Sequence, residues 1–195
     1  MRIKNCRNCN SKNLSTLFSL GKISFTGKFS KKGKEIPKGE LKLIMCNICK
    51  LVQLGNKFNL KYLYGPDYGY RSGINQTMKN HLKTIVTNIS KKVKLKKNDL
   101  VLDIASNDAT LLNFYPKNVI SFGIDPLVKK YIKEYKKINY KISDFFSLNK
   151  IRKKTKKKFK IITALSVFYD LEKPNLFLSE VKKLLDNRGL FILEF

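Results

Sequence analysis

The spacing of apolar positions divides the chain near residue 99. Beyond it, apolar runs at 100–104, 119–124, 159–164 and 190–195 have the length of buried strands, and a weaker run at 140–143 leads to Asp144. Between the second and third strands Leu127, Val128, Tyr131, Ile132 and Tyr135 recur at helical spacing. Phe177, Val181, Leu184 and Leu185 do the same before the last strand, with Asn175 placed as a cap and Asn187-Arg188-Gly189 as a stop. Strands alternating with helices predict a parallel, doubly wound α/β sheet.

The first of these strands leads into Ser106-Asn107-Asp108 and then Ala109-Thr110-Leu111-Leu112, a polar turn followed by an apolar run that starts a helix. Such corners cradle nucleotide-like ligands in open α/β sheets, because a helix start offers free backbone N–H groups. They ordinarily use glycine, and none lies between Asp103 and Leu112. An acid stands at the exit of each of the first three strands: Asp103, Asp125 and Asp144. Asp125 follows Asp103 at about the 20-residue distance where an acid meets ribose hydroxyls, and Asp144 is placed to accept from an exocyclic adenine amine.

The first half has a different texture. Met78, Leu82, Ile85, Val86 and Ile89 predict an amphipathic helix over about 75–90. The single histidine, His81, lies beside that stripe, where a surface or supporting role is expected. Upstream come Tyr62, Tyr64 and the run Tyr68-Gly69-Tyr70-Arg71-Ser72-Gly73. Rings with phenolic tips line pocket mouths or pack one domain on another. Residues 41–45 and 51–54 read as a small hairpin, 17–29 as loops and short strands, and 31–40 as a charged, turn-rich segment; a turn near Gly65-Pro66-Asp67 closes the module.

All four cysteines fall in two knuckles, Cys6-x-x-Cys9 ahead of this hairpin and Cys46-x-x-Cys49 between its arms. Two such knuckles supply four thiolates, the set for a closed tetrahedral zinc site. Nothing in the sequence points to export, so metal is favoured over disulfides, and two copies argue against a redox pair. Without a fifth cysteine or a nearby histidine the zinc is expected to be structural.

Charge adds a competing possibility. Forty-one Lys plus Arg against 14 Asp plus Glu give a formal +27, which can mark a nucleic-acid partner. The lysines are spread over the length, and abundant Asn and Ile point to an AT-rich coding bias. The two dense runs, 91–97 and 152–158, each precede a strand, where solvated helix ends or loops belong. A zinc-ribbon nucleic-acid-binding protein is therefore the alternative reading; it leaves the three strand-end acids and the tyrosine-rich segment without a purpose. No apolar run reaches the roughly 18 residues of a membrane span, and the N-terminus lacks a signal-peptide core, so a cytoplasmic location without a membrane partner is expected.

The run 102–112 (Leu-Asp-Ile-Ala-Ser-Asn-Asp-Ala-Thr-Leu-Leu), Gly123-Ile124-Asp125-Pro126 and Phe168-Tyr169-Asp170-Leu171 resemble class I S-adenosylmethionine-dependent methyltransferases. More narrowly, the chain resembles the C-methyltransferases of nucleotide-linked keto-deoxyhexoses. These carry a four-cysteine zinc module, here Cys6, Cys9, Cys46 and Cys49, with Leu20-Gly21 between the knuckles and Val52-Gln53-Leu54 after them. They share the Tyr-x-Tyr-x-Ser segment, here 68–72, and Met-x-x-His, here Met78 to His81. The likeness runs in the same order from Cys6 to the last residue.

That resemblance implies S-adenosylmethionine as cofactor and a nucleotide sugar as substrate. It places Asp103, Ser106, Asn107 and Asp108 at the methionine and ribose corner, Asp125 on the ribose, Asp144 and Phe145 at the adenine, and Leu165 and Ser166 facing the cofactor. Tyr68 matches a tyrosine of the family's active site, and Tyr169 stands where some members have a catalytic histidine. C-methylation there begins with removal of a proton next to a ketone, and the enolate then attacks the methyl sulfonium. Ala105 and Ala109 replace glycines common in the family. The family also continues past the fifth strand with a Tyr-x-x-Glu-His-type motif and a second Rossmann-like domain. The expected layout is thus a zinc-binding domain at 1–62, a tyrosine-rich linker and helix at 63–98, and an incomplete Rossmann-like methyltransferase domain of about five strands at 99–195. Three outcomes stay open for its missing catalytic part: an inactive gene fragment, a split gene completed by a downstream-encoded C-terminal half, or a degenerate cofactor binder.

Overall fold

A computed structural model describes residues 2–25, 35–65 and 67–195. The chain forms two compact units, Met1–Tyr70 with Glu172–Asn175, and Arg71–Leu171 with Leu176–Phe195. The division falls inside the Tyr-x-Tyr-x-Ser segment.

In the first unit β1 (Leu14–Ser24), β2 (Lys38–Cys46) and β3 (Val52–Leu54) form an antiparallel sheet in that order. The predicted hairpin is its β2–β3 pair, with Leu43 opposite Leu54 and the second cysteine knuckle as the turn. The stretch expected as loops and short strands over 17–29 runs as one long strand through Ser24, because β1 pairs with β2 across two irregularities, at Thr16/Phe18 and Ser19/Lys22. Residues 26–29 of that stretch, 31–34 of the charged segment, and Pro66 of the expected turn lie outside the described residues. A short helix, α1 (Leu60–Leu63), follows, capped by Asn59 accepting from the Lys61 amide at 3.0 Å.

The second unit opens with α2 (Gln76–Lys92), whose first turn is closed by the Asn75 side chain accepting from the Thr77 and Met78 amides. Leu82, Val86 and Ile89 form its buried stripe. The strands β4 (Leu100–Ile104), β5 (Ile120–Ile124), β6 (Tyr140–Ile142), β7 (Phe159–Leu165) and β8 (Leu185–Glu194) are all parallel, in the order β6-β5-β4-β7-β8. The order reverses at β4, so the switch point lies between β4 and β7, at whose carboxyl ends open sheets bind ligands. β4 is buried along its whole length, as a central parallel strand must be. Two helices complete the unit, α3 (Leu148–Arg152) and α4 (Pro174–Leu184). Phe177, Val181 and Leu184 of α4 join Leu102, Phe122, Phe159 and Ile162 in one core.

Three local expectations are overturned. The run after the corner makes only a single 3-10 turn, Leu112–Phe114, so no long helix starts there. Residues 126–137 form successive turns instead of a helix. The buried Leu127, Val128, Tyr131 and Tyr135 keep helical spacing, yet amide bonds alternate between three-back (Glu134 to Tyr131) and four-back (Tyr131 to Leu127). Lys129, Lys133, Lys136 and Lys137 sit three and four apart, and like charges at those spacings oppose a regular helix. Lastly, α4 starts at Pro174, so Asn175 is inside its first turn, and 187–189 form a bulge within β8 instead of a helix stop. Proline is preset for a first helical position.

Candidate functional site

Each cysteine knuckle repeats one backbone design. The Cys6 carbonyl accepts from the Asn10 amide at 3.0 Å and the Cys46 carbonyl from the Lys50 amide at 2.9 Å. Asn10 (φ 60°) and Lys50 (φ 63°) are left-handed, which turns each knuckle back on itself. The four Sγ atoms lie within 4.8 Å of one another, with Cys6–Cys49 and Cys9–Cys46 at 3.5 Å. Zinc bonded to four sulfurs at about 2.3 Å holds them about 3.8 Å apart, so the cluster fits the ion. Its electrostatics ask for a cation. The Leu51 amide leads in drawing the Cys49 thiol down to about 6, whereas Cys9, despite the Ser11 amide, is pushed up to about 11 by burial and its sulfur neighbours. Four adjacent thiols cannot all ionise unless a metal takes up the charge.

The second centre lies where β4 ends. The register sets Asp103 beside Thr163 of β7 and Gly123 of β5. The Thr163 hydroxyl donates to Asp103 Oδ1 at 2.5 Å. Beyond the strand the backbone is left-handed at Ala105 (φ 58°), Asn107 (φ 46°) and Ala109 (φ 61°), which is how the corner turns without glycine. A left-handed residue with a Cβ costs about 1 kcal/mol or more. Replacing Ala105 by Gly is expected to stabilise the second unit by about 1 kcal/mol. At Ala109, fully buried, the lost methyl is worth about 0.8 kcal/mol and the same change is near neutral. Urea midpoints of the two variants test this contrast.

Side chains then lock the turn. The Asn107 amide donates to Asp125 Oδ2 at 3.0 Å and the Leu127 amide to Oδ1 at 2.7 Å, so Asp125 ties two loops together. Tyr135 donates its hydroxyl proton to the Asn107 carbonyl at 2.9 Å, which leaves Ser106 as the donor in the 2.7 Å Ser106–Tyr135 contact. The bare Cα of Gly123 makes room for this, since a Cβ there would lie 2.7 Å from the Tyr135 ring and 3.0 Å from Ser106 Oγ. Asp108 is saturated: Oδ2 accepts from Arg71 Nε at 3.0 Å and the Gly73 amide at 2.9 Å, and Oδ1 from the Thr110 amide and hydroxyl. Asn107 Oδ1 accepts from the Ser72 amide at 3.0 Å.

Burial pushes the Asp103 carboxyl up to about 7, against the Thr163 bond and helped by Asp125, and Asp125 itself up to about 6. The folded state thus holds the Asp103 proton more tightly than the unfolded chain does. The contribution of Asp103 to stability is greatest where both states are protonated, falls as pH rises from about 4 to about 7, and is level above. Asp103→Asn keeps the acceptor for Thr163 and removes the buried charge. It is expected to flatten that slope and raise stability at pH 8 by about 2–4 kcal/mol, read from denaturation midpoints across pH.

The remaining predicted site residues are placed as follows. Asp144 is half-exposed, accepting from the Phe145 amide at 2.8 Å and paired with Lys150 at 2.8 Å. Leu165 ends β7, and left-handed Ser166 donates its amide to the Glu194 carbonyl at 2.8 Å. Tyr169 is exposed on a 3-10 turn, Phe168–Asp170, of the second unit. Tyr68 belongs to the first unit, its ring edge-on to Tyr64 at 5.1 Å and tilted to Tyr70 at 6.5 Å. His81 sits on α2 with Nε2 2.6 Å from the Glu194 carboxylate at the end of β8. Sequence reasoning missed Arg71, which binds Asp108 and Glu134 and lies 5.3 Å over the Tyr131 ring. It also missed Thr163 and Tyr135.

Residues 6–64 match the family model described as "Putative zinc binding domain". No curated protein matches the chain. Among solved structures the chain is similar to the plantazolicin methyltransferase BpumL in complex with a pentazolic desmethylPZN analog and SAH. That match has 19% identity and a TM-score of 0.50, over 63% of this chain and 49% of that one. It is also similar to an S-adenosylmethionine-dependent methyltransferase from Clostridium acetobutylicum, with 15% identity and a TM-score of 0.47, over 59% and 49%. The chain therefore spans about half the length of these structures. Among the described residues no helix is long and apolar enough to cross a membrane. A four-cysteine module of zinc-binding type thus accompanies a five-stranded parallel sheet with a methyltransferase fold.

Proposed function

We propose that the chain is an S-adenosylmethionine-dependent methyltransferase acting at carbon on a nucleotide-linked keto-deoxysugar. The observation that carries the reading is the acid-rich corner at the β4–β7 switch point, joined to the order of motifs that resembles the sugar C-methyltransferases. The corner's residues suit a cationic nucleoside. Asp103 and Asp125 are buried carboxyls that titrate near neutral pH, and each Asp125 oxygen keeps a lone pair beyond its amide bond. Asp144 and Phe145 stand at the exit of β6, one strand outward, where an adenine ring would lie. Leu165 and Ser166 line the other side of the switch point. Asp108, with both oxygens saturated, shapes the corner and leaves ligand contact to Asp103, Ser106 and Asn107. S-adenosylmethionine, when bound, supplies an electrophilic methyl group on sulfur. Tyr68 and Tyr169 are the candidate acid–base groups for proton removal next to the ketone.

Calorimetric titration with S-adenosylhomocysteine tests the cofactor half of this reading. A dissociation constant on the order of 10 μM is expected, weakened about tenfold in Asp125→Ala. No heat at millimolar ligand would overturn it. Transfer of labelled methyl from S-adenosylmethionine to a thymidine-diphospho-4-keto-6-deoxyhexose, with the new carbon–methyl signal read by NMR, tests the substrate half.

A further inference from the structure

The first unit carries a second feature that neither the zinc cluster nor the methyl-transfer reading uses. On its three-stranded sheet is a pocket of about 270 Å³. Ile3 and Ile44, both buried, and half-buried Leu14 line it as apolar surface. Arg2, Lys4, Lys12 and Lys42 bring four cations to the same pocket, with the exposed Thr16 hydroxyl beside them. Among the described residues no carboxylate lines it. Among the described residues none of these four cations makes an ion pair or donates a side-chain hydrogen bond. Glu40, the acid nearest in sequence on β2, is engaged by Asn56 at 2.8 Å.

A solvated lysine surface explains scattered charge, but not four uncompensated cations converging on one pocket. Bringing like charges together raises the local potential, and a concave wall of low dielectric concentrates it, so the pocket favours an anion of high charge density. The backbone at its edge is already committed, with the Ile3 amide donating to the Gly55 carbonyl and the Gly55 amide to the Lys42 carbonyl, both at 2.7 Å. Recognition must therefore come from side chains. Ammonium and guanidinium groups match phosphate oxygens, while the apolar wall has no use for inorganic phosphate and suits a flat organic ring. The volume lies at the small end of ligand pockets, enough for a diphosphate and part of what it carries.

We propose that this pocket binds a nucleoside diphosphate group, with the phosphates on the cationic rim and the nucleoside against the apolar wall. The proposal deepens the nucleotide-sugar reading, and rests on it only for the sugar beyond the diphosphate. UDP titrated into the zinc-loaded full chain tests it, followed by calorimetry and by backbone amide shifts. Binding on the order of 10–100 μM is expected, with shifts at Ile3, Thr16 and Gly55. The double variant Lys12→Glu/Lys42→Glu is expected to weaken UDP by at least about thirtyfold while S-adenosylhomocysteine affinity stays within about twofold. Inorganic diphosphate binding as tightly as UDP would overturn the role of the apolar wall. Unchanged UDP affinity in the double variant, or shifts confined to other residues, would overturn the site. Tight single-stranded RNA binding with a steep salt slope, lost in the same variant while UDP fails to bind, would assign the surface to nucleic acid instead. Failure of S-adenosylhomocysteine to bind the unmodified chain, with UDP bound as expected, would count against the methyl-transfer reading and leave this pocket standing.

Discussion

Stripping zinc from the chain is expected to unfold the three-stranded module and leave the five-stranded sheet folded. Among the described residues the first unit buries only four apolar side chains, Ile3, Ile44 and the cysteines Cys6 and Cys46. The second unit buries Leu102, Phe122, Phe159, Ile161, Ile162, Tyr135 and many more. A module of this size with so small a core does not fold on burial alone and depends on a metal or disulfides. The four thiols are free. The metal bonds also fix the register, since Leu14 pairs with Cys46 and the Asn47 amide donates to the Asn13 carbonyl beside the first knuckle. Amide exchange followed during chelation reads the outcome. Protection across 38–54 should fall by at least about a hundredfold while β4 and β7 keep theirs. Cys46→Ser, at a fully buried position, should reproduce the effect without chelator. Retained protection at Ile44 and Gln53 after complete metal removal would show that the sheet stands without zinc.

The contrast between the two units also governs what the sequence revealed. Parallel strands buried on both faces announce themselves as apolar runs, and β4 spans the same five residues, 100–104, that the pattern predicts. The cysteine knuckles were equally legible, because chemistry fixes both residue type and spacing. The stretch 127–135 misled because burial at helical spacing does not require a regular helix. Its lysines break the ladder while Tyr131 and Tyr135 stay inside. The absence of glycine at the corner was visible; its consequence, three left-handed residues at Ala105, Asn107 and Ala109, was not, because backbone angles are set by what locks the turn. Arg71 left a signal that could have been read. The chain has only five arginines among 41 basic residues, so an arginine in a lysine-rich sequence marks a place where a planar fork matters.

Arg71→Ala is accordingly expected to destabilise the second unit by about 3 kcal/mol. The Asp108 side chain is 1% exposed, and among the described residues Arg71 Nε is the only cationic donor to it, the others being the Gly73 amide and the amide and hydroxyl of Thr110. Those three neutral donors soften the loss, so the effect falls at the low end of the range for an abandoned buried charge. A second carboxylate loses its partner too, since the other arm of the fork reaches Glu134, and the stacking on Tyr131 disappears. Arg71→Lys retains a positive charge but one ammonium cannot serve Asp108 and Glu134 in this geometry, so about half of the Arg71→Ala loss is expected. Asp108→Asn in the Arg71→Ala background removes the stranded charge and should recover at least about 1 kcal/mol, a coupling that urea denaturation of the four-member cycle measures directly. Additive losses would mean that Asp108 is held by its neutral donors alone. The coupling bears on ligand binding as well. Ser72 and Gly73 follow Arg71 directly and bind the same corner through their amides, and a Cβ on Gly73 would lie 2.5 Å from Asp108 Oδ2. Loosening Arg71 is therefore expected to weaken the hold of the Ser72 amide on the Asn107 side chain and to relax the left-handed turn at 105–109, reducing S-adenosylhomocysteine affinity by about tenfold even where the sheet remains folded.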